Sequence, residues 1–434
     1  ARVLVAKRCP THGRSVALVE SDARYFHLST RDRWGRRYVD RTAYHIPDVS
    51  KAPGGAGCDP TTGCCGGDAT DQSGTRTCTV LVEVTDACNL ACPVCYSDAK
   101  GDRMLPYDVF VKNVSAMLDR KGGADSVQLT GGEATMHPDF WRMVDYLHRD
   151  ARVKRVYLPT NGLLFARDEA VRKLEAYRDK VMVLLQFDGL SRETDEALRD
   201  ATLSRVRDRV VRSVDEAGVA MQLTMTLARG VNVHEIGPVV ELGLRHENVR
   251  LIAMQPATSS GRYALPMDPM RRLTLSDVAE EVLHQHHLRM RPGDFAPIPC
   301  SHPNCGWISL FWRRYGLHEN IVKYIDLEKV MGTVAEKTVL DQSELRATVG
   351  TRALGALGSL AGRVLGAAVR PRDVFTIAIK PFMDRYSYDQ DRVSSCCHHM
   401  LDTRGELVSF CEYNALLRLK DDWSRLPPLN RAST

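Results

Sequence analysis

Glu83-Val84-Thr85-Asp86-Ala87-Cys88-Asn89-Leu90-Ala91-Cys92-Pro93-Val94-Cys95-Tyr96 is the stretch from which the rest of the chain can be read. Its cysteines stand as Cys-x-x-x-Cys-x-x-Cys, with an aromatic residue directly after. Three soft thiolates on one short loop can hold three irons of a 4Fe–4S cube. The run supplies no fourth ligand, so one iron of such a cube stays open. A zinc knuckle or a reduced structural trio is the competing reading of the spacing.

The loop follows an apolar, β-rich run, Val80–Thr85, and five similar runs come after it. They are Val127–Thr130, Val156–Leu158, Val181–Phe187, Met221–Leu227 and Val249–Met254. Between them lie segments with apolar residues at helical spacing: Tyr107–Arg120, Phe140–Arg149, Asp168–Tyr177, Leu203–Ala217 and His234–Leu244. Six repeats of strand then helix predict an α/β fold with a parallel sheet, either open or a partial (β/α)6 barrel. Chemistry in such barrels sits at the carboxyl ends of the strands. Polar and glycine-rich turns fall there in succession: the cysteine loop, Gly131-Gly132-Glu133, Thr160-Asn161-Gly162, Asp188-Gly189 and Gln255-Pro256. Gly131 and Gly132 let backbone approach a ligand closely. Glu133 is a candidate to orient that turn, and Asn161, Gln186 and Asp188 offer donors or acceptors. Taken singly, each of these is an ordinary turn.

The chain has 434 residues, an apolar fraction of 44% and a formal net charge of +5. That is enough apolar material for a sizeable core. The charge is too small and too mixed to argue for nucleic acid. No run of eighteen apolar residues predicts a membrane-spanning helix. Ala1–Ala6, followed by Lys7-Arg8, has no signal-peptide layout, so a cytoplasmic enzyme is expected. Thirteen cysteines in such a chain point to metal rather than disulfides. They cluster at Cys58, Cys64, Cys65 and Cys78, on the loop, and at Cys300, Cys305, Cys396, Cys397 and Cys411, with Cys9 alone near the start. None lies between Cys95 and Cys300. The expected organisation is a cysteine-containing extension over 1–78, the barrel over 79–265 and a metal-carrying extension over 266–434.

From Cys58 to Tyr413 the chain resembles the radical S-adenosylmethionine (SAM) enzymes, and within them the group holding archaeal tetraether-lipid synthases and methanogen pterin-methylating enzymes. The resemblance is carried by the cysteine stretch and by Thr130-Gly-Gly-Glu-Ala-Thr-Met-His-Pro138, Leu185-Gln-Phe-Asp-Gly189 and Arg229-Gly-Val-Asn-Val-His-Glu-Ile-Gly237. Further pieces are Gln255-Pro256 with Gly261-Arg262, Pro299-Cys-Ser-His-Pro-Asn-Cys305, Phe410-Cys-Glu-Tyr-Asn414 and Cys9-Pro-Thr-His-Gly13. It implies that the open iron chelates the amino and carboxylate groups of SAM. An electron from the cluster then splits a carbon–sulfur bond to give a 5′-deoxyadenosyl radical. The ligands would be Cys88, Cys92 and Cys95, and Gly131, Gly132, Glu133, Asn161, Gln186 and Asp188 would face SAM or substrate.

The same resemblance implies auxiliary sites. Cys300, Cys305, Cys396 and Cys411 would complete a second 4Fe–4S cluster, with Cys397 an inert neighbour. Cys58, Cys64, Cys65 and Cys78 would hold a third, although Thr62 stands where relatives carry a thiolate. Relatives also bear a rubredoxin-like iron on four N-terminal cysteines, of which only Cys9 is present. Zinc also takes four thiolates, so iron and zinc stay open for the outer groups.

The implied reaction is radical carbon–carbon bond formation, first on a lipid acyl or alkyl chain and second as methylation of a pterin-like molecule. The alternative of another class is a non-catalytic iron–sulfur carrier or zinc scaffold. A ferredoxin or flavodoxin would donate electrons. From Ala353 to Val369 a helical pattern with Gly358, Gly362 and Gly366 reads as packed core, or as an interfacial helix making peripheral membrane contact beside an apolar tunnel. His284, His286 and His287 read as a solvated helix face. His302 and His399 are expected to hydrogen-bond beside cysteines, and His234-Glu235 to cap a helix start. The tail from Asp421 is expected to be loosely ordered.

Overall fold

The computed structural model describes residues 1–30, 77–285, 288, 290–298, 301–314, 316–320, 322 and 371–429. A hairpin of β1 (Val3–Cys9) and β2 (Gly13–Glu20) leads to helix α1 (Ala23–Thr30). The alternating pattern then folds as β3 (Thr79–Thr85), β4 (Val94–Cys95), α2 (Tyr107–Lys121), β5 (Ala124–Gly131), α3 (Phe140–Arg149) and β6 (Val153–Thr160). It continues as α4 (Asp168–Glu175), β7 (Val181–Gln186), α5 (Arg192–Arg199), α6 (Ser204–Glu216), β8 (Ala220–Leu227), α7 (Ile236–Arg245) and β9 (Val249–Pro256). Beyond it come β10 (Arg262–Tyr263), α8 (Leu275–Gln285), β11 (Ala296–Pro297), β12 (Trp307–Arg314) and β13 (Leu317–Asn320). The last elements are β14 (Val374–Ile379), α9 (Gln390–Ser394), β15 (His398–Leu401) and β16 (Leu407–Ser409).

The main sheet runs β11-β12-β14-β9-β8-β7-β6-β5-β3-β15-β16, with β13 on the side of β12. Pairing is parallel without a break from β14 to β15. The six expected strands are therefore the middle of a parallel run of eight, with antiparallel strands beyond each end. Among the described residues, the only helix between the two added strands is the five-residue α9, and more than a hundred positions separate β9 from β14, which is why periodicity does not reveal them. Residues after 265 thus supply both edge strands of the parallel run.

Helix α3 shows why the layers form. Its apolar residues Phe140, Met143, Val144 and Leu147 recur on one face and are all buried. They share one core with Val127 and Leu129 of β5 and with Phe110, Val114 and Met117 of α2. Each fully buried side chain of this kind contributes about 1.5–3 kcal/mol.

The sheet is rolled. Lys380 Nζ, just past the end of β14, lies 2.9 Å from Nε2 of His398, the first residue of β15. Eight flat strands at about 4.8 Å spacing would hold those edges roughly 30 Å apart. Because the strands are parallel, the turns after β3, β5, β6, β7, β8 and β9 gather on one rim.

Candidate active site

The cysteine loop leaves β3 at Thr85 and returns to α2 at Tyr107, and its neck is cinched. Asp86 N donates to Arg103 O at 3.1 Å, Arg103 N to Asp86 Oδ1 at 2.6 Å, and Leu105 N to Val84 O at 2.8 Å. Inside the loop, β4 pairs antiparallel with β10, setting Cys95 opposite Arg262. Cys88, Cys92 and Cys95 are each only partly buried. Burial pushes the Cys88 thiol up to about 12, and Glu133, Cys92 and Cys95 add to the shift. Burial works the same way on Cys95, but the Ser97 hydroxyl, the amides of Ala99 and Ser97 and the charge of Arg262 outweigh it and lower the thiol.

Gly131 and Gly132 meet this loop directly. A Cβ on Gly132 would lie 2.1 Å from the carbonyl oxygen of Ala87, the residue before Cys88. One on Gly131, whose φ is +133°, would lie 2.1 Å from Thr85 O. Gly132 N and Glu133 N donate to Thr85 O and Ala87 O, both at 2.8 Å. Those amides hold the loop, so the close approach expected of the glycines is to backbone. Glu133 is buried, and burial raises its carboxyl. Its oxygens accept from Thr135 Oγ1 (2.6 Å), Thr160 Oγ1 (2.9 Å) and Asn161 N (2.8 Å). Asn161 in turn donates from Nδ2 to Asn89 Oδ1 at 2.7 Å, on the cysteine loop itself.

Asp188 is fully buried and already engaged. Oδ1 accepts from Gln186 Nε2 (2.7 Å), Arg199 Nη2 (2.7 Å) and Thr226 N (2.9 Å). Oδ2 accepts from Arg199 Nε (2.6 Å) and Arg207 Nη2 (3.3 Å). Burial opposes its charge, yet Arg199 and Arg207 hold the carboxyl below its usual range. These acceptor positions go to the chain's own donors. Gln186 also gives its amide nitrogen to Thr224 O at 3.0 Å. The residue that spacing did not single out is Arg199, which sits among Arg192, Glu193, Asp195 and Glu196 as one charge of many.

The segment after β9 supplies two buried polar atoms without a hydrogen bond among the described residues, one of which, Arg262 Nε, lies 3.8 Å from Asp98 Oδ1 in an ion pair. Ser260 Oγ and Arg262 Nε are buried and have no hydrogen-bond partner among the described residues. Gly261 between them, at φ +56°, packs against the carbonyls of Cys95 and Tyr96. Three thiols with orphaned polar atoms beside them fit a cluster and a polar ligand such as SAM on this rim. Among the described residues no three His, Cys, Asp or Glu side chains are grouped to hold a metal ion. A cube takes each thiolate on a different iron, so it does not require the thiols to converge on one point.

At the far edge, Cys305, Cys396 and Cys411 act on one another electrostatically, and burial pushes Cys411 up to about 12. Arg392 Nε lies 3.5 Å from Cys305 Sγ, and Met383 N the same distance from Cys411 Sγ. Tyr96 bridges this group to the cysteine loop, stacking edge-on with Phe382 and Phe410, both at 5.6 Å. Cys397 packs instead against Cys78, and Cys78 N donates to Cys397 O at 2.9 Å. Cys58, Cys64, Cys65, Cys300, His286, His287 and the 353–369 segment lie outside the described residues.

Other expectations resolve locally. His302 Nδ1 accepts from Asn304 N at 3.1 Å, and burial lowers His399 to about 3. Glu235 stands at the N-cap of α7 but makes no side-chain capping bond there; it braces Ser191, the N-cap of α5, accepting from Ser191 N (3.0 Å) and Ser191 Oγ (2.7 Å). The tail is not loose through residue 429. Met104 N donates to Pro427 O at 3.0 Å and Arg103 Nη1 to Leu426 O at 3.1 Å, so it docks on the cysteine loop. Polar composition does not reveal such backbone pairing.

Residues 82–243 match the radical SAM superfamily. The 7,8-dihydro-6-hydroxymethylpterin dimethyltransferase of Methanocaldococcus jannaschii is 24% identical over 486 residues, covering 98% of this chain and 93% of that protein. The GTP 3',8-cyclase of Chlorobaculum tepidum is 30% identical over 192 residues, or 43% of this chain and 56% of that one. Among solved structures, Streptococcus suis SuiB bound to precursor peptide SuiA aligns with a TM-score of 0.40 and 14% identity, over 48% of this chain and 44% of that one.

Proposed function

We propose that this enzyme, whose chain carries a radical SAM domain, methylates a carbon of a pterin-like small molecule and so forms a carbon–carbon bond. The family's cofactors are a 4Fe–4S cluster and SAM. Cys88, Cys92 and Cys95 are the proposed cluster ligands, and the turn Gly131–Glu133 with Ser260 and Arg262 the proposed surroundings of SAM. Bound together, these cofactors supply a 5′-deoxyadenosyl radical able to take hydrogen from an unactivated carbon, which no side-chain acid or base can do. The chain's part is to hold the thiols on the rim, offer the Ser260 hydroxyl and the Arg262 guanidinium to a polar ligand, and keep the loop neck closed.

The observation that carries the substrate class is the likeness to the pterin dimethyltransferase, which spans nearly the whole of both chains. The lipid reading has behind it the resemblance to tetraether-lipid synthases and, more weakly, the pattern of Ala353–Val369, which lies outside the described residues, and so comes second. No helix among the described residues is long and apolar enough to cross a membrane. Auxiliary clusters on Cys300, Cys305, Cys396 and Cys411, and on Cys58, Cys64, Cys65 and Cys78, are part of the proposal, as is an electron donor of the ferredoxin or flavodoxin kind.

Anaerobically reconstituted protein, reduced with dithionite, should convert SAM to 5′-deoxyadenosine, and Cys92→Ala should not. Supplying a hydroxymethyl-dihydropterin with excess SAM as methyl donor, the methyl leaving sulfur as the pterin carbon gives up a hydrogen, should yield a product heavier by one methylene unit in mass spectrometry. Cleavage of SAM with no change in any pterin, alongside an altered apolar extract in cells expressing the gene, would replace the pterin reading with the lipid one.

A further inference from the structure

Four charges form a buried chain leading to the cysteine loop. Asp195 binds Arg207, Arg207 reaches Asp188 at 3.3 Å, and Asp188 takes Arg199 in a two-point contact at 2.6 and 2.7 Å. Asp188, Asp195 and Arg207 are inaccessible to solvent, and the Arg199 side chain is 8% exposed. The charges cancel in sum but are ordered, with the positive end at the loop. Arg199 ends α5, and Asp200 turns the chain away in the left-handed conformation at φ 52°. A cation at a helix carboxyl terminus also faces the favourable end of the helix dipole. Thr226 Oγ1 accepts a further Arg199 N–H at 2.9 Å, and Nη1 reaches the carbonyl of Val94 at 3.3 Å. Val94 lies between two of the three thiols.

A simple ion pair would not need this direction. Asp188 accepts from two guanidiniums and two amides, and Arg199 still extends past it to the loop. The geometry points to Arg199 as a positioning residue that fixes the Cys92–Cys95 arc and raises the reduction potential of the cluster this loop carries. The inference rests on reading Cys88, Cys92 and Cys95 as ligands. The physical cause is charge. A cluster gains one negative charge when an external donor such as dithionite reduces it. A fixed guanidinium beside a thiolate ligand favours the more negative state. The other two thiols face different charges, Glu133 at Cys88 and Arg262 at Cys95.

The test uses the full chain, reconstituted anaerobically, with iron content and a redox titration followed by paramagnetic resonance. Arg199→Gln should take up iron but titrate at a more negative potential, with a several-fold smaller reduced fraction at a fixed applied potential. A variant with normal iron and the wild-type potential overturns the inference. If Arg199→Gln takes up no iron, protein carrying 15N-arginine in an Arg262→Lys background decides. Pulsed resonance should then detect one arginine nitrogen coupled to the reduced cluster, and no coupling overturns the inference. Wild-type protein with no cube, or with a cube that ignores SAM, removes the ligand reading itself. A SAM-responsive cube with an unmoved potential in Arg199→Gln removes only the role of Arg199.

Discussion

Asn161 Nδ2 donates to Asn89 Oδ1 across 2.7 Å, tying the turn after β6 to the loop that carries the three thiols. The same side chain accepts from Leu163 N at 3.0 Å, so its orientation is fixed from both ends. Asn161→Ala removes both bonds. A net loss of about 1–3 kcal/mol is expected in denaturant unfolding, because the partners are left in a partly buried place. Iron uptake per chain should fall alongside. Unchanged iron would mean that the loop is held adequately without this tie.

Gly132→Ala should be worse than its size suggests. The added methyl would meet a backbone carbonyl 2.1 Å away, and backbone cannot swing aside as a side-chain tip can. Overpacking of this kind costs about 1–3 kcal/mol. The displaced residue is Ala87, next to Cys88, so the iron-dependent absorbance after reconstitution should drop more than stability does.

Arg207→Met leaves Asp195 and Asp188 short of a cation in the interior. Breaking a buried pair from one side costs about 3–5 kcal/mol, and a denaturation midpoint is the direct measure. Asp195→Leu together with Arg207→Met should recover much of that loss. A double variant as unstable as the single one would show that packing, not charge, is the cause.

Acid should act on the Asp384–Arg272 pair. Asp384 is fully buried and accepts from Arg272 at 2.9 and 3.0 Å and from Ser259 N at 2.9 Å. Burial opposes its charge, but Arg272 and these amides win and depress the carboxyl. A depressed carboxyl adds stability above its unfolded value of about 3.9, and that stability is lost as pH falls through the folded value. The fall in stability below about pH 4 should therefore be shallower in Asp384→Asn than in the parent. Parallel curves across that range would remove Asp384 from the acid response.

The central six strands and their helices were readable because each carries its own periodicity, and α3 matches its sequence limits, Phe140–Arg149. Other parts depend on contacts between distant positions. Strand β15 is four residues long and is defined by pairing with β3, more than three hundred positions earlier. Helix α5 escaped for the opposite reason, since its charged surface hides the buried Thr194, Asp195, Leu198 and Arg199. At the site, the cysteine spacing announced the loop. Its supports did not announce themselves: the Asn89–Asn161 bond, the Ala87 contact and the reach of Arg199 exist only once the rim is assembled.

The closing of the sheet has a bearing on how the protein is made. Strand β3 pairs on one side with β5, which follows it closely, and on the other with β15, which leaves the ribosome more than three hundred residues later. Until then one edge of a growing parallel sheet faces solvent or a chaperone, and such edges recruit other chains. Translation speed between β3 and β15 therefore governs how long that edge stays open.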